Sequence, residues 1–256
     1  THLFRRVPRA RRQWWGFCSG GWGVCVTDVR APGTIAGAWL VARKDLAIEF
    51  RTRTAFFSAL VFSVLAITIF YFAWDPSVVT PTDRAPGVLW VVLTFSALLG
   101  LQRSFALEEH DRGIDALLVS PIGRESIYLG KAIGNLIFLC AIQVIAIPAL
   151  ALFYNMPVGR PLLVVSGVVL LAMIGIVAVG TLFSAMAVNT RLAELLLPML
   201  SLPFFVPVLM NAAQAATHIF AGRPVAEVSH LLKLLVAFDI VFVFACTLAF
   251  PFTLEE

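Results

Sequence analysis

The sequence is poor in charge. Asp, Glu, Lys and Arg make up only 13% of its 256 residues, 60% are hydrophobic, and the mean hydropathy is +0.91. These values exclude an ordinary water-soluble globule. The formal net charge of +4 and a pI near 9.1 therefore do not describe a solvated basic surface, and nucleic-acid binding is excluded with it. Cysteine is scarce too, with four residues and no CxxC. Cys140 and Cys246 fall inside apolar stretches, while Cys18 and Cys25 lack ligand partners, so neither a structural disulfide nor a zinc site is inferred. His2, His110, His218 and His230 are too scattered for a local metal cluster. His218 and His230 share one segment, where a haem ligand would be useful; two solvated loop histidines are the alternative. Gly130-Lys131 is followed by Ala132, with no glycine where GxxxxGK[ST] requires one, so ATP has no phosphate-binding loop here. No Ser, His and acid set suggests nucleophilic catalysis. The chain is read as a non-enzyme, with no resident cofactor or metal assigned.

What is there instead is a series of long apolar stretches. Six are long enough to cross about 30 Å of hydrocarbon as helices: roughly 55–73, 86–107, 127–153, 162–188, 192–213 and 231–251. They are far too long for barrel strands, so the fold class is an all-α membrane protein of six transmembrane helices. Basic residues sort by side. With the N-terminus inside, Arg43, Lys44, Arg51, Arg53, Arg103, Arg112, Arg124, Lys131 and Arg191 fall inside, together with the arginines of the leader. Only Arg84, Arg160, Arg223 and Lys233 fall outside, which predicts an N-in, C-in topology.

Residues 1–35 differ from the rest, with basic, aromatic and glycine-rich runs and no helical period. They are expected to be a disordered or foreign leader without function, and 36–256 to be the membrane domain. Residues 36–53 place Trp39, Leu46 and Phe50 on one seam, with Lys44 and Arg51 opposite and Arg43 nearby. That pattern predicts a helix lying on the inner leaflet; a positively flanked lead-in to the first span is the alternative. Tyr71, Trp74 and Trp90 read as aromatic anchors at the outer interface. Gly167, Gly175 and Gly180 suit close helix contacts in the fourth span. Pro198, Pro203 and Pro207 imply a kinked or broken fifth span, either a hinge or path-lining segment or a bent packing helix. Residues 214–230 are expected to form short helices at the outer leaflet. Asp239 sits inside the last span, and an intramembrane carboxylate is by default a functional candidate.

The most polar connection joins the second and third spans. It carries Glu108, Glu109, Asp111, Arg112, Asp115, Arg124 and Glu125. Ile114, Leu117 and Leu118 fall on one helical side, Glu108 and Arg112 pair at i, i+4, and Ser120-Pro121 ends the helix. An apolar-faced helix in a water-exposed loop suits docking of a soluble motor, with Gly113 allowing close approach. The alternative is a solvated loop whose leucines rest on the bilayer.

Several blocks carry a resemblance. Arg43-Lys44-Asp45-Leu46, Ala85-Pro86-Gly87-Val88-Leu89-Trp90, Gln102-Arg103-Ser104-Phe105 with Glu108, Leu117-Leu118-Val119-Ser120-Pro121 and Leu129-Gly130-Lys131 resemble the haem exporter protein B family (CcmB). These are ABC-2 type permeases, and the resemblance runs from about residue 36 to 252. It implies a bacterial inner-membrane subunit of the cytochrome c maturation complex, present in two copies. Its implied partners are an ATPase (CcmA-like) that holds the ATP, a haem-handling membrane protein (CcmC-like) and a haem chaperone (CcmE-like). Haem is then a substrate, and 108–121 the docking helix for the ATPase. Two other functions stay open: a permease for a lipid-linked glycan or drug, and a non-transporting scaffold of the haem-handling complex.

Overall fold

A computed structural model describes residues 33–74, 81–110, 123–156, 158–188 and 193–253. Seven helices make up the regular structure of these residues: α1 (Thr34–Thr52), α2 (Thr54–Phe72), α3 (Pro81–His110), α4 (Arg124–Phe153), α5 (Arg160–Val188), α6 (Ala193–Phe220) and α7 (Ser229–Thr253). Six of them, α2 to α7, are long and apolar enough to cross a membrane. Helices are the expected outcome, because lipid offers no partner for a backbone amide and each stretch must satisfy its own.

α5 forms the centre, packing against α3, α4, α6 and α7. Val165, Val168, Val169, Ala172, Ile176 and Val177 are buried along it. α3 is the second buried helix and lies against α2, α4, α5 and α6. Glycine sets the close approaches at two of the three positions expected in α5. A methyl at Gly180 would run into Leu101 of α3, and one at Gly175 would lie 2.6 Å from the Asp239 carboxylate of α7; Gly167 opens onto nothing. Polar side chains tie α5 to α3 and α4, and α2 to α3. Ser184 donates to the Leu101 carbonyl at 2.7 Å, Asn135 Nδ2 to Thr181 at 3.2 Å, Tyr128 to the Ala178 carbonyl at 2.9 Å, and Ser63 and Ser96 lie 3.0 Å apart.

Some local expectations are revised. Trp90 is only 4% exposed, so it is a core residue of α3 and not an interface anchor. α6 runs unbroken through its three prolines, and Pro203 and Pro207 are exposed, so they line no path within this chain. The same helix extends to Phe220, beyond the expected end at 213, so 214–230 does not form separate short helices. The stop comes from Gly222 at φ 77°, whose amide donates to Ile219 O while Arg223 N reaches His218 O, a Schellman closure. At that end of the bundle Tyr71 packs against Tyr154 and Phe153, and Arg84 lies over Trp74 at 5.9 Å.

Candidate functional site

The site lies at the end of the bundle where α3 stops and α4 starts, the two helices that residues 111–122 join in sequence. That connection lies outside the described residues. So do the expected docking residues Asp111, Arg112, Gly113, Ile114, Leu117, Leu118, Ser120 and Pro121. Glu108 and Glu109 fall on the last turn of α3, and their side chains are outside the described set as well.

α1 fixes the geometry. Its buried face is Gly37, Ala38, Val41 and Ala42, all small or β-branched, and it lies against α4. α4 answers with glycine: a methyl at Gly130 would stand 2.6 Å from both Ala38 O and Val41 Cβ. The expected seam is placed elsewhere. Trp39 and Phe50 are 56% and 69% exposed, Arg43 is exposed, and Leu46 and Lys44 are half-buried. α1 is therefore a helix packed on α4 that turns its aromatic side away from the bundle.

The close approach brings two charges together. The Lys131 side chain is fully buried, and its Nζ donates to Asp45 Oδ2 at 3.1 Å and to the Ser104 carbonyl at 2.9 Å. Lys44 approaches the other Asp45 oxygen at 3.2 Å. One ammonium thus ties α1, α3 and α4 at a single point. A buried ion pair adds little net stability by itself, but it costs several kcal/mol to break on one side. Such a pair therefore fixes an arrangement more than it strengthens it.

A second tie stands beside the first. Arg103 of α3 donates from Nη2 to Thr54 Oγ1 at 2.6 Å, and its Nε lies 3.8 Å from Glu49 Oε2. The other Glu49 oxygen accepts from Phe56 N at 3.2 Å and so caps the first turn of α2. Between the two helices stands Arg53, a non-glycine residue at φ 57° that both ends α1 and precedes α2. One left-handed residue turns the chain from α1 into its first crossing. The cluster is a joint of charged side chains at which α1, α2, α3 and α4 are tied together.

The sequence reading passed over Asp45, Lys131, Arg103 and Glu49 as site residues. A signal was present, because Lys131 is an ionisable residue inside an apolar stretch and meets the rule that singled out Asp239. Asp239 itself is 6% exposed on α7 against α5, and neither carboxylate oxygen has a hydrogen-bond partner among the described residues. His218 is half-buried and His230 is exposed, with Nδ1 3.1 Å from Glu227 O. Among the described residues no group of three metal-ligating side chains converges.

Asp45, Arg103 and Lys131 of this joint come from three of the quoted blocks, at 43–46, 102–105 and 129–131, while Glu49 and Arg53 lie outside them. Known proteins align over the same ground. Residues 36–256 match the family model described as CcmB protein. Heme exporter protein B of Rhodobacter capsulatus is 32% identical over 172 residues, covering 67% of this chain and 78% of that protein. The protein of that name from Paracoccus denitrificans is 32% identical over 180 residues, covering 70% and 82%. The one from Pseudomonas aeruginosa is 28% identical over 199 residues, covering 76% and 86%. A match that starts within the first turn of α1 and takes in every helix after it leaves no described element outside: the chain belongs to the CcmB protein family.

Proposed function

We propose that this chain is the membrane subunit of a haem-exporting complex, and that a separate ATPase works it through residues 108–121. The single observation that carries the mechanical half is the joint at the two helices that this connection joins in sequence. Lys131 and Arg103 link the last turns of α3 and the first of α4 to α1 and to the start of α2. A push delivered at the connection would therefore reach four helices at once, with α1 moving as part of the body. The haem half is supported by family membership and by the name, Heme exporter protein B, of the relatives.

In this account the connection faces the cytosol, both termini lie inside, and the membrane is the bacterial inner membrane. ATP is held by the CcmA-like partner, since this chain has no sequence to cradle its phosphates. Ile114, Leu117 and Leu118 seat in that ATPase, flanked by Glu108, Glu109, Asp111 and Arg112. Two copies of the permease, a CcmC-like haem-handling protein and a CcmE-like chaperone complete the assembly. Haem is cargo here, not a resident group. The test is co-purification from native membranes. Leu117→Ala with Leu118→Ala should release the ATPase while the permease stays folded in the membrane, and an ATPase retained at wild-type yield would show that docking lies elsewhere.

A further inference from the structure

The joint borders a crevice that its mechanics leave unused. A cavity of about 320 Å³ opens between the tail of α1, the start of α2 and the middle of α4, with Leu46, Phe50, Phe56, Ile137, Phe138 and Ala141 along its walls. That size is at the lower end of the roughly 300–1,000 Å³ typical of small-molecule sites. Two charged residues, Glu49 and Arg53, complete the lining. They are not equivalent. Both oxygens of Glu49 are engaged, one by Phe56 N and the other by Arg103, so its charge is already answered from inside the protein. Among the described residues Arg53 commits only Nε, to the Phe50 carbonyl at 3.2 Å, and the residue is exposed. Arg51, two residues away and also exposed, has no ion pair among the described residues. α1 thus turns its carboxylates inward, to Lys131 and Arg103, and keeps its terminal arginines outward. The crevice combines an apolar slot with one exposed arginine that has no ion pair among the described residues, next to helices long and apolar enough to cross a membrane.

We propose that this crevice is a discrete binding site for an anionic phospholipid, with one acyl chain in the slot and the phosphate on Arg53. General attraction of a basic helix to an anionic leaflet would not require a slot, and a greasy surface would not require an arginine. A single site that needs both is the distinguishing claim. Because the lipid would sit against Arg53, the residue that turns α1 into α2, its presence would hold that angle. The inference does not depend on the ATPase or on haem.

Native mass spectrometry of the detergent-purified chain, delipidated and then given phosphatidylglycerol or phosphatidylcholine of equal chain length, tests it. One phosphatidylglycerol per chain should be retained, about fivefold more tightly than phosphatidylcholine, since one arginine near an anionic surface is worth about that much. Ala141→Phe, which fills the slot, should abolish retention of that one lipid. Arg53→Asn should weaken it about fivefold and erase the headgroup preference. Asparagine is chosen at 53 because it tolerates the left-handed backbone. Equal retention of the two lipids by the parent chain would overturn the proposal, as would phosphatidylglycerol binding unchanged by both variants at an unchanged unfolding midpoint. Should the filled variant fail to fold, the Arg53→Asn variant decides alone.

Discussion

Asp45→Asn should destabilise the protein more than Lys131→Met, although both remove the same ion pair. The difference follows from where each partner is left. Lys131 has a fully buried side chain, whereas that of Asp45 is 21% exposed. Neutralising Asp45 takes the carboxylate from a buried ammonium and leaves it facing uncharged acceptors such as the Ser104 carbonyl. Breaking one side of a buried pair costs roughly 3–5 kcal/mol, and the partial exposure of Asp45 lowers this to about 2–3 kcal/mol. That corresponds to about a 30- to 150-fold change in the folded-to-unfolded ratio. Methionine at 131 keeps the stem and removes the charge, and Asp45 then keeps water and Lys44 at 3.2 Å. The cost there should be about 1 kcal/mol. The double variant should lie near the Lys131→Met value, because no charge is left to strand. The assay is a double-mutant cycle on unfolding in mixed micelles, read by circular dichroism. Strict additivity of the two losses, or a larger loss for Lys131→Met, would refute a buried tie at this point.

Other expectations follow from the same geometry. Gly130→Ala should loosen α1 from α4 and cost about 1–3 kcal/mol, since the new methyl meets backbone 2.6 Å away. Gly134→Ala, whose nearest neighbour is 3.7 Å off, should be neutral or gain up to about 1 kcal/mol of helix propensity; equal losses at both positions would contradict the packing described. Arg53→Val should lose about 1–2 kcal/mol, because a β-branched residue resists the left-handed backbone, while Arg53→Gly should hold or gain slightly. Identical unfolding midpoints for those two variants would argue against that turn. Gly175→Ala should strain the α5–α7 contact through the Asp239 carboxylate at 2.6 Å, and Asp239→Ala should recover part of the loss. Simple addition of the two effects would separate the residues.

The crossings were legible in the sequence because a helix in lipid must be apolar along its whole length, and the six stretches expected match α2 to α7 within a few residues at most ends. What faces what was not. Trp39, Leu46 and Phe50 were legible as a seam facing the leaflet, but the side of α1 that packs on α4, through Gly37, Ala38, Val41 and Ala42, was not. Protein-facing and lipid-facing positions are equally greasy in a membrane, so contact follows small size, which hydropathy does not register. Trp90 was misplaced for a related reason: its type suits an interface, but its position on α3 faces the bundle. The length of α6 was underestimated because proline and polar residues past 213 resemble a helix end in water. The Asp45–Lys131 contact spans 86 residues, and no local pattern could pair them. The block resemblance contained both residues, but only the fold shows that they meet.

The most direct measurement concerns the side of the membrane on which the 111–122 connection lies. Leu117→Cys, in a chain whose four native cysteines are replaced by serine, can be treated with a membrane-impermeant maleimide in intact cells and in inverted vesicles. Labelling in inverted vesicles alone is the result predicted for a connection worked by a cytosolic ATPase. Labelling in intact cells would place it on the far side of the membrane and contradict the account.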